Sequence, residues 1–196
     1  MGWKLLIRAR RVNQPKHDVA PIHTITLDRL PRSRFTFDMT DPLPDTVPPS
    51  LARTLRQFRT LDRDDKMQAL LSWSRRLEPL PERLAVLDRA AFTVPECQTR
   101  VDLFPERRDD GTLHFYADVN ARQSPTVAAV LAIVFSAVND QSPSVTLSLP
   151  SDVVRLLMQD IGLGARESGL NAMIQRLQKH ARDFMGGSTP GSSPHS

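Results

Sequence analysis

The sequence holds a single cysteine, Cys97, in 196 residues. No intramolecular disulfide can form, which excludes a small secreted module stapled by cross-links. A zinc site of the usual multi-cysteine kind is excluded as well. The five histidines, His17, His23, His114, His180 and His195, show no ligand spacing, and four of them lie in or near the tails. No metal is therefore expected. Long apolar runs are also missing. The longest, Val127 to Val138, falls well short of the ~20 residues that a membrane-spanning helix needs. The start of the chain is basic but has no continuous apolar stretch and no Ala-x-Ala site, so it does not read as a secretory signal. No phosphate-binding loop is present, because Gly162 and Gly164 lack both a following lysine and a preceding strand. The acidic pairs Asp64-Asp65 and Asp109-Asp110 read as a helix start and a turn, not as an acid–base pair.

What is present suits one soluble core. Hydrophobic residues make up 40% of the chain, and the length fits one domain better than two. The net charge of +4 is unevenly placed. Residues 1–38 carry eight Lys/Arg against three Asp, whereas residues 39–196 carry eighteen Lys/Arg against nineteen Asp/Glu. The folded part thus gives no electrostatic reason to bind nucleic acid. Residues 1–48 mix prolines, arginines and isolated hydrophobics without sustained period, and are expected to be a disordered extension. They fit either an Arg-rich targeting segment or, the reading we prefer, sequence upstream of a true start at Met39. One domain is expected over 49–186, followed by a disordered Ser/Pro/Gly tail over 187–196.

Within the domain, the pattern predicts helices, then strands, then helices. Ser50 can cap a first helix that buries Leu51, Leu55 and Phe58. Asp62 can cap a second with Met67, Leu70, Leu71 and Leu77 inward. A short third helix can hold Leu84 and Leu87. Val101 and Leu103 alternate with polar residues, as do Leu113, Phe115 and Ala117, and the Asp109-Asp110-Gly111 turn joins them into an antiparallel hairpin. Val145, Leu147 and Leu149 alternate too, as a third strand or an extended link. Ser124 and Pro125 open an apolar helix over Val127–Val138, expected at the centre of the core. Ser151 caps a helix through Gln159 that Gly162 closes. The last helix carries Leu170, Met173, Ile174, Leu177, Ala181 and Phe184 at helical spacing and ends at Gly186-Gly187. The fold class is α+β, a short antiparallel sheet packed against several helices.

Chemistry centres on Cys97, in Val94-Pro95-Glu96-Cys97-Gln98-Thr99-Arg100 at a loop-to-strand junction. A lone cysteine is most often a buried structural residue. Four polar neighbours, Glu96, Gln98, Thr99 and Arg100, weigh against deep burial. Glu96 disfavours a thiolate and Arg100 favours one. A Cys–His hydrolase would need His114, the one histidine well inside the folded part, but an ordinary strand histidine is the commoner case. Arg166 stands at the mouth of the last helix, where a cation gains nothing from the helix dipole. That makes a role in binding or packing more plausible, with an exposed arginine of no consequence as the alternative.

These residues resemble the SufE family, sulfur acceptors of cysteine desulfurases. The likeness runs from about Pro49 to Phe184, and its most specific piece is Val94-Pro95-Glu96-Cys97-Gln98-Thr99, the Val-Pro-Glu-Cys motif of one branch. Leu77-Glu78-Pro79-Leu80-Pro81, Ser124-Pro125-Thr126-Val127, Leu149-Pro150-Ser151-Asp152 and Arg166-Glu167-Ser168-Gly169-Leu170 agree with the family in order and spacing. Asp102 stands where the family usually has a large apolar residue, and Arg100 where the branch often has proline. A glycine usual near Ala128-Ala129 is absent. The resemblance implies a fold shared with iron–sulfur scaffold proteins of the NifU type. It implies that Cys97 takes persulfide sulfur from a cysteine desulfurase, stimulates that enzyme, and passes the sulfur to an iron–sulfur scaffold complex. Glu96, Gln98, Thr99, Arg100 and Arg166 would meet the partner. Pyridoxal phosphate would belong to the desulfurase, and this chain would carry no cofactor. Such a protein is a carrier and activator rather than a stand-alone enzyme. It is expected in the cytoplasm, as a monomer or weak dimer. The alternative is a binding module that regulates a partner by docking alone.

Overall fold

The computed structural model describes residues 43, 47–159 and 166–187, all within the unit 39–196. The expectations for residues 1–42 and 44–46, the start at Met39, the stop at Gly162 and the tail beyond Gly187 lie outside the described residues, whereas Val47, inside the expected extension, is buried in the core and Leu43 packs against it. In chain order the helices α1 (Pro49–Thr60), α2 (Arg63–Ser74) and α3 (Glu82–Ala85) are followed by a short 3-10 turn, Arg89–Ala91. The strands β1 (Val101–Arg107) and β2 (Leu113–Val119) come next. The helices α4 (Pro125–Val138), α5 (Pro143–Leu147), α6 (Val153–Met158) and α7 (Glu167–Met185) complete the order. Seven helices and a two-stranded antiparallel sheet among the described residues make this an α+β fold.

α4 sits at the centre, as its apolar sequence predicts. Every residue from Thr126 to Val138 except Ser136 is buried. α1, α2 and β2 all pack against it. A helix without a polar face cannot lie at a surface, so its neighbours must enclose it. α1 contributes Leu51, Leu55 and Phe58, as expected, but begins two residues earlier than a Ser50 cap implies, with Pro48 as its cap and Pro49 in its first turn. A proline there costs nothing, because that N–H has no helical partner. In α2 the Asp62 carboxylate accepts from Asp65 N–H at 2.9 Å, as predicted. Its inward stripe differs: Lys66, Leu70 and Ser74 are buried, Met67 is half-buried and Leu71 is exposed. Leu77 lies beyond the helix end.

The strands pair from Val101↔Val119 to Arg107↔Leu113, closed by a turn in which Gly111 takes φ +82°. Val101, Leu103, Phe115 and Ala117 face the core. The opposite face is covered by the segment 78–93. Phe92 packs on Phe104 at 4.6 Å between ring centroids. Arg83 reaches Glu106 at 2.6 Å, and Glu78 reaches His114 at 3.0 Å. Asp102 and His114 are consequently buried. Alternation along a strand assigns residues to two faces, but it does not reveal what covers the second.

Two further segments depart from expectation. Val145–Leu149 is not a strand: Pro143–Leu147 forms α5. The buried residues are Pro143, Thr146 and Leu149, three apart, whereas Val145 and Leu147 are half-buried. Ser142-Pro143 is a helix start, and five alternating residues carry too little pattern to outweigh it. α6 begins after Asp152 rather than Ser151, and neither Asp152 nor Ser124 makes a side-chain cap bond.

α7 buries Leu170, Met173, Ile174, Leu177 and Ala181 as predicted, with Phe184 packed at the margin, and Gly187 turns the chain away at φ +76°. His180, on the same helix, has no hydrogen-bond partner for its buried Nδ1 among the described residues. Burial first, and the Lys179 ammonium second, push this imidazole below its ordinary value of 6.5. The unfolded chain therefore takes up that proton more readily than the folded protein. Its effect on stability is absent above about pH 6.5, and stability is lost progressively as the pH falls from there through the depressed folded value. Urea denaturation at about pH 7.5 and about pH 5.5 is expected to show lower stability at the acid value, with the difference reduced in His180→Gln. An undiminished difference would assign the pH dependence to another group.

Candidate functional site

The loop that carries Cys97 is tied at its base. Val94 N–H donates to the Val101 carbonyl at 2.9 Å, and Leu103 N–H donates to the Phe92 carbonyl at 2.9 Å. Thr93 and Asp102 form an isolated antiparallel bridge. Val94 and Val101 are both buried. Residues 95–100 therefore project from a fixed foot, and a turn closed by Cys97 N–H on the Val94 carbonyl (3.2 Å) places the cysteine near the tip. Cys97 is a free, half-buried thiol.

The start of α7 lies directly against it. A Cβ on Gly169 would stand 3.0 Å from Cys97 Cα and 3.3 Å from both its Cβ and its Sγ. Only glycine leaves room for this approach. Beside the sulfur is a cavity of about 110 Å³, walled on the loop side by Glu96, Cys97, Gln98 and Thr99 and opposite by Val127, Arg166, Ser168 and Gly169. Ser168 and Gly169 belong to the first turn of α7, where backbone N–H groups have no partner within the helix, a setting that suits an anion. Two ties hold the loop from its sides. Thr99 Oγ1 and Ser124 Oγ are 2.9 Å apart, and Glu96 pairs with Arg176 of α7 at 3.8 Å.

The structure thus brings five of the sequence-selected residues, Cys97, Glu96, Gln98, Thr99 and Arg166, to one cavity. Arg100 is elsewhere. Its side chain is 69% exposed and lies 3.5 Å from Asp102, in a separate cavity with Arg89, Asp118, Val119 and Asn120. His114 does not join Cys97 either. Asp140 holds its Nδ1 at 2.8 Å and Glu78 its Nε2 at 3.0 Å, beside a different cavity that includes Trp73 and Phe135. Cys97 and His114 therefore form no dyad. Among the described residues no group of three or more His, Cys, Asp or Glu is placed to hold a metal. Sequence reasoning missed Gly169, Ser168, Val127 and Ser124 as parts of the site. The Ser124-Pro125 start and the Arg166–Leu170 stretch were both conspicuous, but nothing local joined them to Cys97.

A family model described as the Fe-S metabolism associated domain, SufE, matches residues 52–181. The chain belongs to the SufE family. Two uncharacterised SufE-like proteins of Mycobacterium tuberculosis, from strains CDC 1551 / Oshkosh and ATCC 25618 / H37Rv, are each 29% identical to it over 147 residues. The match covers 71% of this chain and 96% of each relative. A hypothetical protein from Thermus thermophilus, known by its solution structure, is similar with a TM-score of 0.61 at 26% identity. That likeness covers 71% of this chain and 98% of the Thermus protein. As a SufE-family member the chain carries a domain associated with iron–sulfur metabolism. No helix among its described residues is long and apolar enough to cross a membrane.

Proposed function

We propose that this SufE-family protein accepts persulfide sulfur from a cysteine desulfurase onto Cys97 and delivers it to an iron–sulfur scaffold complex. The observation that carries the reading is the seat of the thiol. Cys97 stands on a tied loop, half-buried against Gly169, with about 110 Å³ of free space beside its sulfur. A water molecule takes up ~30 Å³, so one added sulfur atom has room without a change of packing.

The step is an exchange between sulfurs. The Cys97 thiolate attacks the outer sulfur of the partner's cysteine persulfide. A new S–S bond forms on Cys97, the partner's S–S bond breaks, and the partner's cysteine leaves as a thiolate. No net oxidation occurs, because one disulfide-type bond replaces another. A half-buried persulfide is shielded from reductants and oxidants until a partner engages it. In this reading the loop Val94–Thr99 moves outward when the desulfurase docks. The reading also assigns the protein to the cytoplasm, where a lone thiol stays reduced. Pyridoxal phosphate remains the desulfurase's own.

Incubation with a desulfurase and free cysteine, followed by intact mass, is expected to show a gain of one sulfur at Cys97. Faster desulfurase turnover without that gain would sink the carrier reading and leave a docking module. Arg166 lies on the wall of the cavity and is exposed, so it is available to a partner. Arg166→Ala is expected to weaken desulfurase binding about tenfold, as interface arginines often do. Calorimetric titration reads this directly, and an unchanged affinity would remove Arg166 from the interface.

A further inference from the structure

Asp102 is only 1% exposed, and a buried carboxylate is costly unless it is paired. Its oxygens bind residues on both sides of the Cys97 loop. Thr93 Oγ1 donates to Oδ1 at 2.5 Å, and Arg89 Nη1 donates to Oδ2 at 3.1 Å. Arg100 Nε lies 3.5 Å from the same Oδ2. Arg89 also pairs with Asp118 on β2, which fixes it to the sheet. The Thr93 hydroxyl has one proton and a second acceptor, the Arg89 carbonyl at 2.9 Å. The shorter contact and the negative charge favour the carboxylate. Thr93 immediately precedes Val94, and Arg100 immediately precedes Val101. One carboxylate therefore grips both feet of the loop.

We propose that Asp102 is a positioning residue for Cys97: its buried carboxylate clasps the feet of the 94–101 loop and so keeps the thiol seated on Gly169. Backbone bonds at the base hold the two feet together, whereas the clasp sets their rotation and hence where the tip points. The inference deepens the sulfur-acceptor reading and rests on it for its biological purpose. Its test does not need a desulfurase.

The readout is the rate at which iodoacetamide, a neutral reagent, labels Cys97 in the full chain. Asp102→Asn removes the charge. Thr93→Val removes the hydroxyl, keeps the shape and changes no charge, so it cannot act through ionisation of the thiol. Both are expected to speed labelling about tenfold or more, the effect of losing a bond to a charged group. Thr93→Ser restores the hydroxyl and should return the rate to within about twofold of the parent. Glu106→Gln, which alters a carboxylate on the same sheet face bound to Arg83 and Arg108, should leave the rate at the parent value. Labelling of Thr93→Val at the parent rate overturns the clasp, even where Asp102→Asn does not fold. Equal acceleration by Thr93→Ser or Glu106→Gln overturns it too, since any loosening would then suffice. Should the parent gain no sulfur from a desulfurase while these rates behave as expected, the acceptor reading fails and the clasp stands.

Discussion

Cys97→Ser is expected to accept no sulfur at all. A hydroxyl oxygen is not ionised near neutral pH and cannot take the outer sulfur of a persulfide, whereas a thiolate can. Intact mass after incubation with desulfurase and free cysteine should show the unmodified chain only. The fold should persist. The side chain is half-buried beside a cavity rather than locked in the core, and exchange of sulfur for oxygen there costs about 1 kcal/mol or less. Urea denaturation separates the two effects. The mechanism would be wrong if the serine variant stimulated the desulfurase as the parent does.

The second large effect concerns the seat. Gly169→Val places a branched side chain where even a single Cβ would lie 3.0 Å from Cys97 Cα. One of the two surfaces must give. α7 is anchored by Leu170, Met173 and Leu177, all buried, so the loop is the softer side. Overpacking of this kind costs about 1–3 kcal/mol. If lifting the tip relieves it, alkylation of Cys97 should accelerate about tenfold or more, with Gly169→Ala in between. Parent-like labelling of the valine variant would show that the thiol is not seated on Gly169 in solution.

Much of this was legible in the residues. The apolar run of α4 and the periodic α7 can bury their side chains in only one way, so their sequences predict both helix and place. Cys97 stood out through its neighbours, and Arg166 through a charge that suits a helix N-terminus poorly. What joined them could not be read. The contact between Cys97 and Gly169 links residues seventy-two apart, and no local pattern encodes it. The burial of Asp102 could not be read for a related reason. The residue reads as the outward half of an alternating strand, but a segment with no sustained period, 78–93, folds over that face and buries it. Val145–Leu149 misled by brevity, since so short an alternation fits a strand and a helical turn about equally.

The tied foot of the Cys97 loop also limits reach. Val94 is buried and bonded to Val101, and Cys97 follows three residues later. An extended chain advances ~3.5 Å per residue, so the cysteine can stand at most about 10 Å from that anchor however far the loop swings. Under the proposed function, a tether of this length would not carry sulfur into a deep, narrow active site. A donor would have to bring its persulfide out to within that radius, and a recipient its accepting group. The travelling is left to the other protein.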